Sequence, residues 1–273
     1  MVNLRKILVV GATGATGKHV VQMLLDRGDT TVVALVRSKE KMMNLLDLDD
    51  DNNDEKNKSK NKKIDNLILE EAAIAELGTE KLQDLTKGCQ AVISDDDDDN
   101  NKGGKGGGCR FIVMGSDGIT HPDGVTDPKR PYMERFVLFL LRKLLPPHAD
   151  NEMTAAYLYQ QQQQEQQEPS SSPSPSLDWC YVRPGDLIDD KQEKEDDNGD
   201  DNSDKKEKVC VNDNEEGYEV FDRPGSLFGG DNTARYDVAA FMTTLATVDQ
   251  EIWKERYNHK MPAIYQKNKK NNE

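Results

Sequence analysis

The 273 residues suit one α/β domain of ordinary size once the low-complexity stretches are set aside. The net charge of −15 and mean hydropathy of −0.83 mark a very polar chain, and tracts at 47–63, 95–108, 160–176 and 189–208 hold −11 of that charge. An acidic surface argues against a nucleic-acid partner, and the longest apolar run, residues 136–145, is interrupted by Arg142 and Lys143 and too short to span a bilayer.

The chain opens with KILVV (6–10), a continuous apolar run that reads as a buried parallel strand. A glycine loop follows at 11–17. Residues 18–27 then place Val20, Val21, Leu24 and Leu25 on one helical face, and Gly28 closes the helix. Residues 31–36 form the second strand, which completes a β-α-β unit. A short helix is expected at 38–46, a third strand at 66–69 and a helix at 78–85 with Leu82 and Leu85 inward.

Fourth and fifth strands follow at 91–94 and 110–114. A helix at 131–145 is stopped by Pro146 and Pro147, and another at 152–160 runs into polyglutamine. The glutamines at 160–167 read as a surface loop. A sixth strand spans 179–182 and ends at Pro184, and short strands are expected at 209–211, 218–221 and 263–265. The last helix, 234–245, turns Val238, Phe241, Met242 and Leu245 to one side. Strands alternating with helices give a doubly wound, mostly parallel sheet with helices on both faces.

The chemistry sits in GATGATG (11–17). A helix N-terminus offers unpaired N–H groups and a partial positive charge, so a pyrophosphate docks there if the backbone comes close. Gly11 permits the turn out of the strand, Gly14 removes a Cβ from the phosphate path, and Gly17 brings helix against strand. The Thr13 and Thr16 hydroxyls are placed to donate or to cap, with Ala15 between them. At the end of the second strand, where a carboxylate would bind the 2′-hydroxyl of NAD, stands Arg37 followed by Ser38. A guanidinium there fits the 2′-phosphate of NADP, so NADPH is the expected cofactor.

Cys89, Cys109, Cys180 and Cys210 form no CxxC pair, which fits reduced thiols in a cytoplasmic protein. His19, His121, His148 and His259 have no metal-ligand spacing, and the aspartates at 95–99 lack the EF-hand pattern. No metal is expected. Trp179 and Trp253 read as core anchors.

On these residues the chain resembles the atypical short-chain dehydrogenase/reductases, in their NmrA-like, NAD(P)H-binding branch. The resemblance is carried by residues 6–42 (KILVVGATGATGKHVVQMLLDRGDTTVVALVRSKEKM), 88–94 (GCQAVIS), 144–158 (LLPPHADNEMTAAYL), 179–187 (WCYVRPGDL) and 238–265 (VAAFMTTLATVDQEIWKERYNHKMPAIY). It implies a single Rossmann-type, NAD(P)-binding domain over 1–273, with the four biased tracts as insertions. It further implies binding of NADP(H) and, often, oxidoreduction of a small molecule; some relatives bind the nucleotide as redox sensors and catalyse nothing. Carried over by position, residues 11–17 are the phosphate loop and Arg37 the 2′-phosphate contact. Ser94 ends the fourth strand beside the ribose. Met114 and Gly115 end the fifth strand beside the nicotinamide, and residues 183–185 line the substrate side.

The chain departs from that pattern in three places. A Tyr-x-x-x-Lys pair is missing, since Phe136 stands four after Tyr132 and Gln161 four after Tyr157. Ser116 is the remaining candidate to hydrogen-bond a substrate carbonyl, and Asn151 stands near the usual lysine. Residues 70–75 lack the Gly-Asp or Gly-Ser pair that contacts adenine. The connection at 95–108 has no apolar face with which to cover the sheet. The expected activity is NADPH-dependent reduction of a small carbonyl, quinone or flavin-like substrate. A non-catalytic NADP(H)-binding regulator is the alternative, and a nucleotide-sugar epimerase is disfavoured by the short C-terminal region.

Overall fold

The computed structural model describes residues 4–46, 65–94, 109–167, 177–189, 217–227 and 232–267. Cys210, the strand expected at 209–211 and most of the biased tracts lie outside these residues. Strand β1 (Arg5–Val10) leads through the glycine loop into α1 (Gly17–Arg27) and β2 (Thr30–Val36). Then come α2 (Lys39–Leu45), β3 (Leu67–Glu71), α3 (Thr79–Thr86), β4 (Ala91–Ser94) and β5 (Arg110–Met114). Helices α4 (Tyr132–Leu144) and α5 (Pro146–Gln167) precede β6 (Asp178–Pro184) and β7 (Asp186–Ile188). Strands β8 (Tyr218–Phe221) and β9 (Asn232–Ala234), helix α6 (Arg235–Thr247) and β10 (Ala263–Gln266) complete the described elements of the sheet and its cover.

The main sheet runs β3-β2-β1-β4-β5-β6-β10-β8. It is parallel except for β8, which pairs antiparallel with β10 at the edge. Chain direction across the sheet reverses between β1 and β4, and the crevice at such a switch point opens at the C-terminal strand ends. Helices α1 and α6 bury Val20, Leu24, Phe241 and Leu245 against one face with Ile7, Val9 and Ile93. On the other face α3 brings Leu85 to Leu8, Val33 and Val92, and α5 brings Ala155 and Leu158 to Val113, Trp179 and Tyr181. Both faces are therefore covered, as the alternation of elements requires.

Four expectations change. Pro146 and Pro147 end α4 but also open α5, because proline is well suited to the first turn, whose N–H groups have no helical partner. Residues 160–167 are not a loop: they continue α5, since glutamine is a good helix former. Strands β7 and β9 pair into a separate two-stranded sheet that no local pattern announced. The sheet near the short β4-to-β5 connection is not bare either, for Val92 and Val113 are buried and Phe111 packs against both clusters of that face. Trp179 and Trp253 are fully buried, as core anchors should be.

Candidate functional site

A cleft of about 680 Å³ opens at the C-terminal ends of β1 and β2. Its floor is the glycine loop, represented by Gly11, Thr13, Gly14 and Ala15. Gly11 takes φ 73°, a left-handed conformation that glycine adopts without strain. The turn is then closed by Gly14 N–H donating to the Gly11 carbonyl at 2.7 Å. Gly17 does not line the cleft; it sets the packing beneath it. A Cβ at Gly17 would stand 2.2 Å from the Gly11 carbonyl oxygen, so only glycine lets α1 start this close to the loop. Thr16 is buried as well, and its Oγ1 has no hydrogen-bond partner. An unpaired buried hydroxyl at the start of a helix is the kind of group that an anionic ligand would satisfy.

One side of the cleft is cationic. Arg37 at the end of β2 and Lys41 in the first turn of α2 both line it, and among the described residues neither side chain forms an ion pair. Ser38 is not on the wall: its Oγ accepts from Lys41 N–H at 3.2 Å and caps α2, which positions Lys41. Beside the cations the lining is apolar: Leu35, Ala72, Ala73, Ile74 and Ala75. The stretch without a Gly-Asp pair thus reaches the cleft, but offers methyl groups in place of a carboxylate. Pro147 and Asp150, from the first turn of α5, complete the wall. Lys41, the alanines and α5 were not read from the sequence, although a lysine four residues after Arg37 on a short helix was a usable signal.

The remaining expected contacts lie along the same sheet edge, outside that lining. Ser94 is buried at the end of β4, next to Val10. Met114 ends β5, and Gly115 donates its N–H to the Val182 carbonyl. A Cβ on Gly115 would meet the Tyr181 hydroxyl at 2.1 Å, so this glycine admits a buried tyrosine. Tyr181 in turn donates to Asn151, at 3.1 Å from Oδ1. Asn151, near the usual lysine position, therefore orients a core tyrosine. Ser116 is half-buried in the loop beyond β5.

Next to Ser116, burial pushes the Asp117 carboxyl up to about 6, reinforced by the nearby Asp186. Arg130, the Tyr265 hydroxyl and Arg183 pull the other way. Arg183, expected to line the nicotinamide and substrate side, has its side chain in the core. It is fully buried and forms a 2.6 Å ion pair with Asp127, and it also donates to the Ile119 and Asp222 carbonyls. That arginine clamps the loops beyond β5 and β8 to the sheet. Among the described residues no cluster of His, Cys, Asp or Glu could hold a metal, and no helix is long and apolar enough to cross a membrane.

A model of the NAD(P)H-binding family matches residues 11–213, most of the chain. Among solved structures, a wide-type short-chain dehydrogenase/reductase from Veillonella parvula, in complex with NADP, superimposes with a TM-score of 0.53. The two are 13% identical, over 96% of this chain and 94% of that one. A Rossmann-fold NAD(P)-binding family protein from Shigella flexneri gives 0.50, at 15% identity over 97% and 94%. An anaerobilin reductase from Escherichia coli O157:H7 gives 0.51, at 13% identity over 96% and 97%. At these identities the likeness is one of fold. No curated protein matches the sequence.

Proposed function

Because the chain belongs to the NAD(P)H-binding family, we propose that it binds NADPH at the C-terminal edge of the sheet and reduces a small-molecule substrate by hydride transfer. The observation that carries this reading is one cleft that combines the glycine turn with Arg37 at the end of β2 and Lys41 in α2, neither of which forms an ion pair among the described residues. The first turn of α1 and the Thr16 hydroxyl would hold the pyrophosphate. Arg37 and Lys41, which line the cleft together, suit a 2′-phosphate. The apolar stretch Ala72–Ala75 suits an adenine face. Bound in this way, NADPH would supply the hydride. The chain would supply Ser94, Met114 and Gly115 beside the ribose and nicotinamide, and the Ser116 hydroxyl to a substrate carbonyl. Without a Tyr/Lys pair, the proton comes from Ser116 or from water.

Calorimetry with NADPH and NADH on wild type, Arg37→Ala and Lys41→Ala tests the cofactor assignment. A charged hydrogen bond of about 1.5–3 kcal/mol corresponds to a preference of roughly 10- to 100-fold for NADPH, which Arg37→Ala should largely erase. Equal affinities in wild type would overturn the NADP assignment, and no binding of any dinucleotide would overturn the site. Turnover against aldehydes and quinones tests reduction. A non-catalytic redox-sensing regulator is the second reading, favoured by one observation: among the described residues no tyrosine lines the cleft. Tight NADPH binding without turnover, together with partners captured only in one redox state, would select it.

A further inference from the structure

Helix α4 is apolar on almost every side. At about 100° per residue, its inward face carries Glu134, Val137, Leu138 and Leu141, of which Glu134 and Leu138 are buried. Tyr132, Met133, Phe136, Phe139, Leu140 and Leu144 fill a separate arc of about 140°, and they are 38% to 86% exposed. Arg135 and Arg142 form the narrow polar stripe between the two faces. Lys143 falls inside the apolar arc, on a stem long enough to carry its charge clear. A helix apolar all round normally lies in an interior.

This helix is held firmly in place. At its start, Arg130 pairs with Glu134 at 3.1 Å and the Ser226 hydroxyl donates to the same carboxylate at 2.6 Å. At its end, Arg142 donates to Glu152 of α5 at 2.6 Å. The apolar arc is thus presented by a fixed element. Nothing else in this chain has the composition to cover it. Residues 1–3, 47–64, 95–108, 168–176, 190–216, 228–231 and 268–273 are dominated by Asp, Asn, Lys, Ser and Gly, and their longest apolar run inside the chain is the three residues 209–211.

We propose that a second copy of this chain covers the arc, in a two-fold dimer with the α4 helices antiparallel. Aromatic and long aliphatic side chains of roughly 150–250 Å² each, at these exposures and with Met153 and Tyr157 of α5, offer on the order of 800 Å² per protomer. That is about the area each partner contributes to a standard stable interface. The arc is also self-complementary. Tyr132, Phe136, Leu140 and Leu144 make one i, i+4 ridge centred on residue 138, so a two-fold axis there sets Phe136 of one copy against Leu140 of the other. Ridges of this kind interdigitate with their like.

Sedimentation of the full chain from about 1 to 100 μM, for wild type, Phe136→Glu and Leu140→Arg, tests the dimer. We expect a wild-type dimer with micromolar dissociation. Each variant should dissociate at least about a hundredfold more readily, with unchanged NADPH affinity and, at concentrations where the wild type is itself monomeric, an unchanged melting curve. Two variants on the exposed arc are used so that misfolding of one leaves the other to decide. A wild-type monomer at 100 μM, or variants that still dimerise, would overturn the proposal. So would a monomer that floats with neutral or anionic lipid vesicles, which would make a membrane the occupant.

Discussion

Replacing Gly17 by alanine introduces one methyl group at the tightest point of the phosphate loop. Its carbon would stand 2.2 Å from the Gly11 carbonyl oxygen, 2.9 Å from the carbonyl carbon and 3.1 Å from Ala12 Cα. Ordinary contact begins near 3.4 Å, so about 1 Å of movement is required, and all three neighbours are backbone. No rotamer change can relieve the clash. Either α1 slides away from the loop or Gly11 swings out of its turn and loses the 2.7 Å bond from Gly14. Overpacking of this kind costs about 1–3 kcal/mol in stability, and a 1 Å displacement of positioning groups costs about a hundredfold in the process they serve. Calorimetric titration with NADPH should therefore show Gly17→Ala binding about a hundredfold more weakly, with a lower melting temperature. Gly78→Ala is the control, because a Cβ there meets nothing within 4 Å; its NADPH affinity should equal that of wild type. If Gly17→Ala bound NADPH as wild type does, the geometric account of the loop would be refuted.

Asp127→Ala leaves Arg183 charged, fully buried and unpaired, which should cost about 3–5 kcal/mol in urea unfolding; Arg183→Met in the same chain should return part of that loss. Gly115→Ala drives a methyl into the Tyr181 ring and displaces its hydroxyl from Asn151. It should cost about 1–3 kcal/mol, and Tyr181→Leu should couple with it in a double-mutant cycle. The Asp117 carboxyl is raised in the fold to about 6. Its contribution to stability is therefore fully present below its unfolded value of about 4 and is lost as pH rises through 6. The melting temperature of Asp117→Asn minus that of wild type should accordingly grow between pH 4 and 7; a flat difference would show that the carboxyl is not held up.

The β1-loop-α1-β2 unit was legible because every feature that builds it is local. A four-residue apolar run (Ile7–Val10), a glycine turn and a 3.6-residue periodicity lie within about 30 residues. Gly17 and Arg37 could be singled out for the same reason, since strand end and helix start fix where each must stand. Ser38 shows the limit of that inference, because its hydroxyl caps α2 while Lys41 reaches the cleft.

What the tertiary structure alone decided depends on residues far apart in the chain. Arg183 reads from the sequence as following a strand that ends at 182, yet it lies within β6, and Asp127, 56 positions away, draws it into a fully buried ion pair. The cleft is walled by Ala72–Ala75 and by Pro147 and Asp150, which no spacing links to the glycine loop. Helix α4 reads from its pattern as an amphipathic to apolar helix. Only the packing shows that its neighbours cover one narrow face and leave the rest to solvent. Periodicity records which side chains are apolar, but whether a partner surface arrives to bury them is set by the path of the whole chain.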